Sequence, residues 1–69
     1  MPVVKVIELI GCSPLNWEEA VKSALAEAAK TIQHIKSIYV KAVSANVENN
    51  EIVEYKAIVK ISFVVDQEL

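Results

Sequence analysis

The sequence predicts a single α+β domain, spanning residues 1–69, with the element order β-α-β-β. Three observations predict it. The chain opens with a run rich in β-branched residues over positions 3–10. A well-marked helix start follows at Asn16, and two long alternating segments then flank Asn49 and Asn50.

The first strand is predicted over residues 3–10, which read VVKVIELI. Its two charged residues, Lys5 and Glu8, would point to opposite faces of the strand. Neither face is therefore clearly polar, and the pattern favours a strand covered on both faces. The only glycine of the chain, Gly11, and Pro14 follow closely, and together they predict a turn that ends the strand.

The helix begins with a capping signal, because Asn16 can cap it and Glu19, three positions later, can complete a capping box. Apolar residues then recur at helical spacing and predict one buried face. These are Trp17, Ala20, Val21, Ala24, Leu25, Ala28 and Ile32. The helix is expected to end between residues 31 and 36, near His34, where β-branched residues begin to alternate.

The rest of the chain is predicted to form a long hairpin. Asparagine tolerates the positive φ of a tight two-residue turn, so Asn49 and Asn50 are placed at its tip. Pairing Glu48 with Glu51 then predicts which residues share each face. One face has Ile38, Val40 and Ala42 opposite Ile61, Val59 and Ala57, and is assigned to the helix. The other leaves five large side chains uncovered, which predicts an interface: Tyr39, Val43, Val47, Ile52 and Ile58.

The order of the strands follows from their connections. A helix between the first two strands leaves them pointing the same way, and the hairpin reverses the third. Placing the third strand between the others makes every pairing antiparallel, so the predicted sheet order is 1-3-2.

Size and composition indicate that the domain needs partners. A chain of 69 residues buries only about 60% of its unfolded surface, and a single cysteine, Cys12, cannot form an internal disulfide. Metal ions or further subunits remain as the means of stabilisation. Hydrophobic residues make up 54% of the chain, with a mean hydropathy of +0.35, and this apolar surplus favours subunit interfaces.

Other classes of partner are not expected. No apolar run approaches the ~20 residues of a membrane span, and no signal-peptide pattern opens the chain, so a cytoplasmic location is predicted. A net charge of −2 without any arginine argues against nucleic acid.

No catalytic residues are predicted. Cys12 has no basic neighbour to activate it, and His34 is the only histidine. Glu18 and Glu19 are explained by the first turn of the helix. The acids around the hairpin tip lack the spacing of a dedicated calcium loop, so no metal ligands are assigned. Tyr39, on the uncovered sheet face, is expected at a subunit contact.

Three segments resemble the dodecins: the opening VIELIGCSP, the helix NWEEAVKSALAEAAKTI and the closing YKAIVKISFVV. The resemblance covers nearly the whole chain. It implies a three-stranded sheet partly wrapped around one helix, and assembly into hollow homo-dodecamers. It also implies a non-enzymatic protein that sequesters flavin, such as FMN or riboflavin, in pairs at subunit contacts.

The positions at which the family holds flavin differ in this chain. Where flavin-binding dodecins have a stacking tryptophan and a hydrogen-bonding glutamine, the resemblance places Ser37 and Lys56, with Tyr39 close by. Serine has no ring to stack, and lysine has no acceptor. The resemblance therefore implies that flavin binding is weakened or replaced. The SPxxWE helix start is also similar to a calcium-associated branch, which leaves a structural or calcium-stabilised shell as the alternative.

Overall fold

The computed structural model describes residues 3–65. Its elements follow in the order β1 (Val3–Ser13), α1 (Trp17–Ala29), β2 (Ile35–Glu48) and β3 (Glu51–Val65). The three strands form one antiparallel sheet in the order β1-β3-β2. The predicted fold class and strand order are both confirmed.

The predicted cap at Asn16 and the predicted hairpin tip are both confirmed, whereas the Glu19 side chain lies 3.7 Å from the Nζ of Lys22. The side chain of Asn16 accepts a hydrogen bond of 2.7 Å from the backbone N–H of Glu19. At the tip, Asn49 and Asn50 have φ values of 52° and 65°, the positive values that a two-residue hairpin turn requires. The helix ends at Ala29, earlier than expected, and His34, with a φ of 64°, lies in the link to β2.

The core lies between α1 and one side of the sheet. We call this side the helix face; on the central strand it consists of Ala57, Val59 and Ile61, all 0% exposed. The helix contributes the buried Ala20, Ala24 and Ala28, and Ile7, Leu9, Val21, Ile32, Ile35 and Ile38 pack around the cluster.

Gly11 does not end the first strand as predicted. It continues β1 opposite Ala57, and Cys12 and Ser13 extend the strand further. A Cβ atom built on Gly11 would lie 2.0 Å from the backbone oxygen of Ala20. Glycine is therefore required here because the helix passes directly over this strand.

The predicted hairpin register is correct at both ends and wrong in the middle. It shifts between Val40 and Ala42, and shifts back between Asn46 and Val47. Such bulges place two residues opposite one, and the residues beyond a bulge change faces. Ala42 therefore pairs with Ile58, and Val43 pairs with the buried Ala57.

These shifts correct the predicted interface. Val43 shares the helix face, and Val47 follows it on that face at alternate positions of β2, paired with Ile52. Val43, Val47 and Ile52 are exposed because the helix does not reach them. The 13-residue helix spans about 20 Å, whereas β3 spans about 50 Å. Of the predicted set, only Tyr39 and Ile58 lie on the side opposite the helix.

We call that opposite side the outer face; its central-strand residues are Lys56, Ile58, Lys60 and Ser62. No helix covers it within residues 3–65. Its large apolar side chains on β1 are exposed, with Ile10 at 58% and Val6 at 56%. Tyr39 on β2 is 63% exposed. Within residues 3–65, no helix is long and apolar enough to cross a membrane.

Candidate functional site

The predicted site residues Ser37, Tyr39 and Lys56 all lie on the outer face. Ser37 pairs with Ser62, and Tyr39 pairs with Lys60, so these are neighbouring cross-strand pairs on the same side of the sheet. The hydroxyl oxygens of Ser37 and Ser62 are 2.9 Å apart and share a hydrogen bond. The hairpin register predicted both of these pairings.

Lys56 lies apart from that group. It pairs with Ser44 on β2 and with Cys12 on β1, whereas the predicted register placed Val43 opposite it. Six residues separate Lys56 from Ser62, which is about 20 Å along the strand. One subunit therefore does not bring Ser37 and Lys56 together around a single ligand.

Charged side chains from all three strands meet beside Tyr39. Glu8 on β1 pairs with Lys60, which in turn pairs with Tyr39. The Nζ of Lys41 lies 3.6 Å from the Oε2 of Glu8, so this ion pair reaches across the central strand. The contribution of Glu8 was not predicted, since the sequence did not indicate which residues of β1 face outwards.

The link between the helix and β2 leaves an open groove of about 500 Å³. It is lined mainly by Leu25, Ala29, Ile32, Ile35 and Ile38. Lys36 and Ser37 complete the lining. The register also shifts between Ile35 and Ser37, so Lys36 is the extra residue of a bulge and lies next to the serine pair. Ser37 thus lies where the groove meets the outer face.

Acidic side chains on the helix and the hairpin have local structural partners. The carboxylates of Glu18 and Glu19 lie 3.4 and 3.7 Å from the Nζ of Lys22 on the exposed first turns of the helix. The side chain of Glu54 accepts a hydrogen bond of 2.9 Å from the amide of Asn46. Cys12 is exposed, and residues 3–65 contain no group of three or more potential metal-ligating side chains.

Trp17 anchors the start of the helix to the hairpin. Its indole N–H donates a hydrogen bond of 2.8 Å to the carbonyl oxygen of Ser44. Its ring meets that of Tyr55 edge to face, with centroids 4.9 Å apart. Trp17 is therefore a packing residue at the start of the helix.

The family profile for dodecins matches residues 3–66. A dodecin from Thermus thermophilus is 33% identical over 61 residues, which is 88% of each chain. A calcium dodecin from Mycobacterium tuberculosis is 32% identical over 63 residues, covering 91% of this chain and 89% of the relative.

Solved structures give the same result. The crystal structure of the tt0972 protein from Thermus thermophilus superposes with a TM-score of 0.93 at 29% identity, covering 99% of this chain and 100% of that one. The calcium dodecin structure from Mycobacterium tuberculosis, described as having a novel calcium-binding site, superposes with a TM-score of 0.83 at 30% identity over 97% and 99% of the two chains. The β-α-β-β chain described above belongs to the dodecin family.

Proposed function

We propose that this chain is the subunit of a non-enzymatic homo-oligomer, a dodecamer, that holds a small ligand where subunits meet. Membership of the dodecin family carries the proposal, because its members are known as non-enzymatic flavin-binding proteins and as homo-oligomers. The exposed apolar residues of the outer face support it, since Ile10 and Tyr39 need a cover that residues 3–65 do not give them.

The ligand site is proposed at Ser37 and Tyr39, with Lys56 from another subunit. These residues do not reproduce the family's flavin contacts. Ser37 is engaged with Ser62 and has no ring, and Lys56 donates hydrogen bonds without accepting any. We therefore expect FMN and riboflavin to bind weakly compared with a dodecin that has the stacking tryptophan.

Two measurements test this function. Light scattering should find a particle about an order of magnitude heavier than the 7.6 kDa subunit and so support assembly. Titration with riboflavin and FMN should then quench flavin fluorescence only at high protein concentration. A stable monomer would overturn the assembly. Strong quenching at low protein concentration would show that Ser37 and Lys56 do not weaken flavin binding.

A calcium-stabilised shell without flavin is the second candidate. It is favoured by the calcium dodecin of Mycobacterium tuberculosis. That protein is 32% identical to this chain by sequence comparison and 30% identical over the superposed structures. Under this proposal, a calcium chelator lowers the melting temperature or dissociates the particle, and added calcium restores it. A melting temperature and particle mass that are indifferent to both treatments would exclude it. The cytoplasmic location expected from the sequence stays a prediction.

A further inference from the structure

We propose that Ser37, Ser62, Tyr39 and Lys60 form a binding site for a phosphate-type oxyanion on the outer face. The inference deepens the proposed function, and rests on it for the position of the site at a subunit contact. It assigns a ligand chemistry to the position where the family's flavin contact is missing. Replacement of an aromatic ring by a hydroxyl changes what this position can bind, rather than only weakening it.

The four side chains are brought together by the β2–β3 pairing. The serine pair and the Tyr39–Lys60 pair are adjacent along the same face, about 7 Å apart. Tyr39 is exposed and Lys60 is partly exposed, so neither side chain is closed off from solvent in the subunit. A ligand lying across the two pairs can reach all four side chains.

These groups offer more hydrogen-bond donors than acceptors. One serine hydroxyl donates to the other across 2.9 Å, and the second hydroxyl keeps its proton for a ligand. The phenol of Tyr39 is a further donor, and the ammonium of Lys60 donates without accepting. Lys60 has no ion-pair partner among residues 3–65. Such a set matches the several acceptor oxygens of a phosphate group.

The neighbouring charges favour an anion as well. Glu8 lies opposite Lys60 on β1, and it is the one carboxylate in this row of the sheet. The Nζ of Lys41 lies 3.6 Å from this carboxylate. The positive charges of Lys41 and Lys60 therefore exceed the single negative charge of Glu8. Lys36 adds a third ammonium next to Ser37, again without an ion-pair partner in the part of the chain that the structure describes. The patch is therefore positive in a chain whose net charge is −2.

Inorganic phosphate is the probe that tests the site. Isothermal titration at constant pH and ionic strength should detect phosphate binding that an equal concentration of chloride does not produce. Lys60→Gln should weaken it at least about tenfold, because charge-assisted hydrogen bonds are lost. Ser62→Ala should weaken it about threefold, and Lys60→Arg should retain it. No phosphate binding, or equal binding by wild type and Lys60→Gln, would overturn the site.

Lys5→Gln is the matched control. It removes an ammonium from the same sheet but from the helix face, because Lys5 pairs with Phe63 and lies two residues before Ile7 on β1. Phosphate affinity should stay within about twofold of the wild type. An equal loss in both lysine variants would show a general charge effect and overturn the site.

Competition with flavins is a second test of the site, because FMN carries a phosphomonoester and riboflavin does not. If FMN displaces phosphate and riboflavin does not, the ligand of the site is a phosphomonoester. If neither flavin displaces phosphate, the ligand is free phosphate. All four residues belong to one chain, so the titration is decisive whatever the particle mass. An assembled particle without phosphate binding overturns the oxyanion site alone, whereas a monomer that binds phosphate overturns the assembly alone.

Discussion

The two faces of the central strand differ sharply in how they are covered. On the helix face, Ala57, Val59 and Ile61 are completely buried against α1. On the outer face, the alternating residues Ile58 and Lys60 are only partly covered, and their neighbours on the edge strands are exposed. The single helix within residues 3–65 covers one face. The other face is left for partners and ligands, so we expect mutations on the two sides to affect different properties.

The largest effect is expected from Gly11→Ala on the helix face. The new Cβ would lie 2.0 Å from the Ala20 oxygen and 3.0 Å from the Ala24 Cβ, and backbone atoms cannot move aside without shifting the helix. We expect a loss of about 4 kcal/mol or more in the free energy of unfolding, above the usual cost of overpacking.

Urea denaturation followed by circular dichroism measures that loss. Ala26→Leu is the control, because it enlarges an exposed position on the same helix and should change stability by less than about 0.5 kcal/mol. Equal stability of Gly11→Ala and the wild type would show that the helix does not pack closely on β1.

The difference between the helix face and the outer face is tested by alanine variants of Ile61 and Ile58, which are three residues apart on β3. Ile61 is fully buried on the helix face, so Ile61→Ala should cost about 3 kcal/mol of unfolding free energy. Ile58→Ala should leave the fold of the subunit intact and reduce the particle mass seen by light scattering. If Ile58→Ala lost helix content at the same urea concentration as Ile61→Ala, with no change in mass, the outer face would have no role in assembly.

Ser37→Trp should restore flavin binding on the outer face. A ring at this position provides stacking worth about 0.5–1.5 kcal/mol, or about two- to tenfold in affinity. Riboflavin fluorescence quenching measures the gain. Ser23→Trp, which adds the same ring to the exposed side of the helix, is the control and should bind no more flavin than the wild type. Equal affinities of Ser37→Trp and the wild type would exclude Ser37 as the family's stacking position in this chain.

The smallest effect is expected from the ion pair on the outer face. The Lys41 and Glu8 side chains are each about half exposed, and such pairs contribute little because water screens them. Lys41→Met should change the free energy of unfolding by less than about 0.5 kcal/mol at 0.15 M salt. A loss above about 1 kcal/mol would show that this pair is desolvated in the assembled protein.

Much of the fold could be predicted from neighbouring residues. Asn16 caps the helix through a hydrogen bond three residues away, and Asn49 and Asn50 close the hairpin with positive φ angles. The pairings of Ser37 with Ser62 and of Tyr39 with Lys60 followed from counting outwards from that turn. These features depend on local backbone preferences and on regular alternation, which the order of residues carries directly.

The rest required contacts between distant parts of the chain. The shift at Lys41 moved Val43 onto the helix face, although nothing in the alternating sequence of β2 marks a bulge there. Glu8 lies at the candidate site because β1 pairs with the edge of β3 that β2 leaves open, which places Glu8 opposite Lys60.

The sequence by itself determined the class and order of the elements, the cap and the hairpin turn, because each depends on residues a few positions apart. Only the tertiary structure decided that Gly11 lies in a strand beneath Ala20, and that the groups around Ser37 and Lys60 come from three strands. The physical reason is that steric fit between helix and sheet, and the register of paired strands, are set by contacts between residues far apart in the chain.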